Sequence, residues 1–155
     1  MRKPIRLLVI LLALASLNVL ADVKSKEEIS REAKAKASHI SSQQLSDYLV
    51  KKENIVLLDI RTEDEYEAGH IQGAQWLPRG TLEYSIQDIV TDPAARIVLY
   101  CNSGGRSALA TMTLGDMGYT NVVDLDGGFK AWVTEGNSFY NMHGELKVVN
   151  FKKSE

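Results

Sequence analysis

Most of what could cross-link this chain or hold a metal is missing from it. Among 155 residues there is one cysteine, Cys101, and there are only three histidines. One cysteine cannot close an intramolecular disulfide, so the fold must stand on its core alone. No cluster of histidine and cysteine has metal-ligand spacing, so neither a metal nor an organic cofactor is expected. No internal repeat or low-complexity block occurs. Positive charge is scarce as well: 18 Lys and Arg against 20 Asp and Glu leave a formal charge of −2. That balance argues against nucleic acid and anionic membranes as partners. No apolar run reaches the ~20 residues that a membrane-spanning helix needs.

What is present is an ordinary globular composition, 45% hydrophobic and 25% charged. The length supports one domain, which at this size buries roughly two thirds of its unfolded surface. The start of the chain stands apart. Arg2, Lys3 and Arg6 precede an apolar run over residues 7–17, and Val19-Leu20-Ala21 offers residues that a signal peptidase accepts. Residues 1–21 are therefore expected to be a cleaved secretory signal, and the protein to be exported to the periplasm. A membrane anchor is the alternative, and the shortness of the run argues against it. Losing those three positive charges and no negative ones takes the formal charge from −2 to −5. Exposed charges further off than ~8 Å are largely screened, so an anionic substrate would depend on the local field of its site.

Taken in order, residues 22–40 are charged, alanine-rich and helix-favouring with little apolar face, and are expected to form an exposed helical spacer. The domain proper is expected over 41–136. Ser41 or Ser42 caps a helix with Leu45, Tyr48 and Leu49 on one face, residues 55–60 form a buried strand, and Thr62 caps a short helix that begins Glu63-Asp64-Glu65. One or two short helices are expected over 79–90. Residues 97–100 and 122–125 read as strands, Gly127-Gly128 as a tight turn, and the segment after it as a short helix that puts Trp132 in the core. The tail, 137–155, carries Phe139, Tyr140, Leu146 and Phe151 and is expected to pack on the domain or add a strand or ribbon. Strands alternating with helices in this way predict an α/β fold, a central parallel sheet with helices on both faces.

In such folds ligands bind beyond the C-terminal ends of the strands, and Cys101 falls there. The sequence Cys101-Asn102-Ser103-Gly104-Gly105-Arg106-Ser107 joins a strand to a helix. Its glycines let the backbone turn its N–H groups inward, and the helix N-terminus adds a positive dipole end. A free thiol titrates near about 8.5, and such surroundings bring it to roughly 3.5–7.5. Cys101 is thus the candidate nucleophile, with Asn102, Ser103, Gly104, Gly105, Arg106 and Ser107 as candidate substrate-binding residues. Arg106 is expected to touch the substrate. Asp59 and Arg61 are candidate supporting residues, and Arg61 is expected to pair with Glu65. His70 reads as a hydrogen-bonded turn residue.

Four pieces in register resemble the rhodanese (sulfurtransferase) family, in particular its single-domain exported members. They are Leu58-Asp59-Ile60-Arg61 with Glu65-Tyr66, Gly69-His70-Ile71-Gln72-Gly73-Ala74, the Cys101 loop, and Gly127-Gly128-Phe129-Lys130-Ala131-Trp132. Their order and spacing fit the family across about residues 43–135. The resemblance implies a nucleophilic cysteine that carries a persulfide and moves a sulfane sulfur from a donor such as thiosulfate to an acceptor such as cyanide or a thiol. It also implies a small anionic donor, a thiophilic acceptor, or a protein sulfur donor or acceptor as partners. The loop departs from thiosulfate-preferring members in having Arg106 as its one positive charge. Two other readings stay open: a persulfide carrier or binding module of the same fold, and a cysteine phosphatase or arsenate reductase. The latter's loops place five residues between cysteine and arginine, where this chain has four. Sequencing the mature N-terminus is expected to begin at Asp22; a retained Met1 in a membrane fraction would show an anchor instead.

Overall fold

The apolar run at residues 97–100 is buried along its whole length, and its two faces belong to two separate cores. Successive side chains of a strand point to opposite faces. Ile97, Leu99 and then Cys101 join Leu58, Ile60, Leu82, Ile86 and Leu114 on one side. Val98 and Tyr100 join Leu45, Leu57, Ile71, Leu125 and Trp132 on the other. A strand with no polar face needs cover on both sides, and helices supply it.

A computed structural model describes residues 23–149; the expected signal segment 1–21 lies outside the described residues, as does the end of the tail with Phe151. The elements are α1 (Lys26–Lys36), β1 (His39–Ile40), α2 (Ser42–Val50), β2 (Val56–Asp59), α3 (Glu63–Ala68), β3 (Gln75–Trp76), a 3-10 turn (Arg79–Thr81), α4 (Leu82–Ile89), β4 (Ile97–Tyr100), α5 (Gly105–Asp116), β5 (Val122–Leu125), α6 (Gly128–Thr134), β6 (Phe139–Asn141) and β7 (Gly144–Leu146). Five strands make one parallel sheet in the order β1-β5-β4-β2-β3, with Leu58 opposite Leu99 and Leu99 opposite Asp124. The expected α/β architecture is what forms. Leu82 and Ile86 of α4 and Leu114 of α5 cover one face, and Leu45 of α2 and Trp132 of α6 cover the other. Among the described residues no helix is long and apolar enough to cross a membrane.

The tail forms the expected ribbon. β6 pairs antiparallel with β7, and Tyr140 exchanges two 2.8 Å backbone hydrogen bonds with His70. His70 is the turn histidine anticipated, its ring stacked on Tyr66 with centroids 4.0 Å apart and Nδ1 3.0 Å from the Tyr66 carbonyl. A side chain at Gly69 would lie 2.6 Å from the Phe139 ring, so glycine is needed there for space.

Residues 22–40 correct one expectation. They do contain a helix, capped by the reciprocal Ser25–Glu28 pair, but it is not a free spacer. α1 packs against α5, Ala33 is buried, and β1 pairs with β5 at the sheet's edge. A stripe as narrow as Ile29 and Ala33 suffices because α5 presents Gly105 to it, where a Cβ would sit 2.5 Å from Ser30 Oγ.

A second correction concerns Arg61. It does not pair with Glu65. Asp59 and Arg61 are two residues apart, so alternation carries both to the face of Leu57 and Tyr100, while Glu65 sits in the first turn of α3 with its carboxylate turned back to the Thr62 cap. Both are buried, 0% and 4% exposed. Arg61 Nε and Nη2 donate to the Asp59 carboxylate at 2.6–3.0 Å, and Nη2 also reaches the Gly69 carbonyl. Its guanidinium lies 4.1 Å from the Phe129 ring centroid. Removing one partner of such a pair leaves a buried charge alone, which costs about 3–5 kcal/mol. Asp59→Ala is expected to lose that much in urea unfolding, and Asp59→Ala with Arg61→Met to regain most of it; a loss below about 1 kcal/mol would mean that Arg61 finds water.

Candidate active site

β4 ends at Tyr100, and its next residue, Cys101, is a free thiol only 1% exposed at the floor of a cavity of about 440 Å³. The loop that follows turns at Gly104, whose φ of +87° is a left-handed conformation suited to glycine, and α5 starts at Gly105. Three consecutive carbonyls of this loop are held from outside. Phe129 N–H donates to Cys101 O at 2.8 Å, Lys130 N–H to Asn102 O at 3.0 Å, and Lys34 Nζ to Ser103 O at 2.7 Å. In a trans peptide the C=O and the next N–H point in opposite directions. Fixing the carbonyls of 102 and 103 outward therefore turns the amides of 103 and 104 inward, toward Cys101.

The consequence is electrostatic. Burial raises the thiol's pKa, but hydrogen bonds from the Ser107 hydroxyl and from the amides of Ser107, Ser103 and Gly104 outweigh it and hold Cys101 below the ordinary thiol value. Ser107 Oγ lies 3.5 Å from Sγ. The structure thus gathers Cys101, Ser103, Gly104 and Ser107 into one cradle, with Gly105 and Arg106 on the cavity wall. Asn102 contributes its carbonyl tie to α6. The carbonyls of Cys101 and Asn102 are held by α6 because Gly128 lets that helix's start approach: a Cβ there would collide with the Cys101 carbonyl.

Arg106 is engaged. Its guanidinium meets the Glu65 carboxylate in three contacts of 3.2 Å. Glu65 also accepts from Thr62 N and Oγ1. Burial raises the Glu65 carboxyl, while Arg106 and Thr62 outweigh burial and hold it below the usual carboxylate range. The ion pair anticipated for Glu65 thus exists with a different arginine. Asp59 and Arg61 do not join the cradle: their side chains bond to each other and to Gly69, and they reach the loop's surroundings through the rings of Phe129 and Tyr100.

Two groups beside the cradle were not anticipated. Lys34 belongs to the helix read as a spacer; the Ile29–Ala33 spacing of four was the available sign that this helix has an inner face. Asp124 sits in β5, where one acid among Val122, Val123 and Leu125 signals a buried polar group. It is fully buried beneath Gly104, with Oδ2 3.5 Å from where a Gly104 Cβ would be. His39 Nδ1 approaches Oδ2 to 3.2 Å, yet neither carboxylate oxygen accepts a hydrogen bond of good geometry. Burial accordingly lifts the Asp124 carboxyl from its usual 3.8 to about 6, against a weaker pull from Ser107, His39 and Lys34. Among the described residues no group of three or more His, Cys, Asp and Glu is placed to hold a metal ion. A second hollow of about 390 Å³, lined by Gln87, Val90, Pro93, Met117 and Tyr119 among others, contains no thiol and no charged side chain.

With this geometry in view, comparison with known proteins is specific. Residues 41–135 match the family described as the rhodanese-like domain. A sulfurtransferase of Allochromatium vinosum is 37% identical over 99 residues, covering 64% of this chain and 91% of that protein. The thiosulfate sulfurtransferase GlpE of Pseudoalteromonas translucida is 35% identical, covering 61% and 87%. The chain spans 26% of a longer Mycobacterium tuberculosis relative named as an adenylyltransferase/sulfurtransferase. Among solved structures, a Rhodopseudomonas palustris protein of unknown function, described as a possible tyrosine phosphatase, superposes with a TM-score of 0.66 at 29% identity over 74% of this chain and 92% of that one.

Asp124 generates a pH prediction. A carboxyl raised in the folded state favours folding while protonated, fully so below its unfolded pKa, and that contribution is lost as pH rises through the folded value. Asp124→Asn is therefore expected to melt above wild type at pH 7 and to lose this advantage between about pH 6 and 3.8. Melting temperatures of both proteins across that window test it; an asparagine variant less stable at pH 7 would show that the ionised carboxylate is held favourably.

Proposed function

The chain belongs to the rhodanese-like domain family, and we propose that it is a sulfurtransferase that carries sulfane sulfur as a persulfide on Cys101, from a donor such as thiosulfate to cyanide or a thiol. The observation that carries this reading is the set of inward amides around a thiol whose pKa is lowered despite burial. Sulfur transfer is what the named relatives have in common. The Cys101 thiolate attacks the outer sulfur of thiosulfate; the donor's S–S bond breaks and its electron pair leaves on sulfite. The new terminal sulfur is an anion, and the amides of Ser103, Gly104 and Ser107 supply the preorganised donors that such a charge requires. A thiophile then takes that sulfur and returns the bonding pair to Cys101 Sγ.

The phosphatase description of the Rhodopseudomonas neighbour does not transfer well. Four residues separate Cys101 from Arg106, a shorter loop than phosphate-encircling ones, and Arg106 is already bound to Glu65. The basic start and apolar run in residues 1–21 support a periplasmic site for this chemistry. Incubation with thiosulfate is expected to make the protein heavier by one sulfur atom in intact-mass spectra, and cyanide to remove that mass. Cys101→Ser is expected to show neither change, because a serine hydroxyl is almost never ionised at neutral pH. A serine variant that turned over thiosulfate and cyanide at the wild-type rate would refute the reading.

A further inference from the structure

The cavity above Cys101 is not built by the rhodanese-like stretch alone. Its floor and one side come from Cys101, Ser103, Gly105, Arg106 and Leu109, but the facing side is α1, through Lys26, Glu27, Ile29 and Ser30, all upstream of the matched residues 41–135. We propose that α1 is a substrate wall, and that Ile29, with Leu109, selects sulfur acceptors that are organic thiols with an uncharged, apolar body. The proposal rests on the persulfide reading of Cys101 given above.

Three observations support it. First, the wall is fixed. α1 and α5 approach as closely as Gly105 allows, Lys34 Nζ is bonded to Ser103 O at 2.7 Å, and His39 Nε2 meets the Lys34 carbonyl at 2.6 Å. A cavity edge held this way keeps its shape, and shape is what discriminates among ligands. Second, the volume of about 440 Å³ falls in the roughly 300–1,000 Å³ range of pockets for organic ligands, far more than a cyanide ion fills. Third, the cations at the site are already answered. Arg106 is paired with Glu65, Lys26 lies 3.6 Å from Glu27 on the surface, and Lys34 is committed to the loop. Arg106 also acts on Cys101, but its charge is shared with Glu65, while Ile29 is 40% exposed on the α1 side. Such a wall rewards carbon rather than negative charge.

The step is a sulfur transfer without net oxidation. The acceptor thiolate attacks the terminal sulfur of Cys101–S–S⁻, a new S–S bond forms on the acceptor, and the Cys101 S–S bond breaks with its electron pair left on Sγ. The acceptor departs as its own persulfide. Its apolar body, one to a few carbons from the reacting sulfur, would lie between Ile29 and Leu109.

The test compares two thiols of similar acidity, benzyl mercaptan and 2-mercaptoethanol, as acceptors from protein preloaded with thiosulfate, reading kcat/KM for each. Wild type is expected to favour benzyl mercaptan about tenfold or more, the usual range for an apolar pocket discriminating by carbon content. Ile29→Ala is expected to cut that ratio about threefold or more, Ile29→Asp to abolish it, and Leu109→Ala to reduce it from the other side. Helix-favouring alanine at a part-exposed site keeps the fold, so Ile29→Ala stays informative if the aspartate variant does not express. A wild-type ratio under twofold, or a ratio unchanged in Ile29→Ala and Leu109→Ala, overturns the proposal while leaving the persulfide intact. Failure of thiosulfate to add sulfur to wild type in the mass spectrum overturns the Cys101 reading itself, and the acceptor wall with it.

Discussion

The character of Cys101 is decided by where three neighbouring carbonyls are tied. α6 holds the carbonyls of Cys101 and Asn102 with its first N–H groups, and Lys34 holds that of Ser103. Because each peptide unit is planar and trans, pulling the oxygens outward leaves the amides nowhere to point but inward. A thiol buried at 1% exposure would otherwise resist ionisation, since burial disfavours its charged form. The amides and the Ser107 hydroxyl reverse that outcome. The same arrangement that makes the thiolate accessible in energy also prepares a place for a second negative sulfur, so one loop conformation serves both states of the proposed cycle.

That loop conformation depends in turn on parts of the chain far from it in sequence. Gly128 lets α6 reach the loop, and Phe129 is packed between Tyr100, the Arg61 guanidinium and Phe139. The buried Asp59–Arg61 pair thus stands behind α6 on the far face of the sheet. Sheet alternation keeps the two functions apart: even-numbered and odd-numbered positions of β4 serve opposite cores, and Cys101 continues the side of Leu99. A charged pair and a reactive thiol can then sit within one small domain without pairing with each other.

α1 changes how the site is framed. The matched family stretch begins at residue 41, yet Lys34 supplies one of the three carbonyl ties and Ile29 with Ser30 forms a side of the cavity. Asp124, poised near pH 6 beneath Gly104, lies between these elements, in contact with His39 just after α1. The helix is thus part of the site's electrostatics as well as of its shape.

Local spacing in the chain determined a great deal. The uniformly apolar 97–100 run required a strand covered on both faces, glycines after Cys101 required a turned backbone, and a capping serine at 41 or 42 required a helix to begin there. These depend on neighbours within a few residues, and the strands expected at 55–60, 97–100 and 122–125, the parallel sheet and the position of Cys101 at a strand's end emerged, while the two-residue β1 and β3 were too short to show as a periodicity. Pairings between distant residues were a different matter. Glu65 takes Arg106, 41 residues away, in place of Arg61, and Lys34 reaches Ser103 across 69 residues. A charged side chain has many partners of the right sign along a chain, and which one it meets is set by how helices and strands pack, a choice made by burial and close approach rather than by charge. The tertiary structure alone decided that a helix with only Ile29 and Ala33 on its inner face would dock against Gly105 and close one side of the cavity over the thiol.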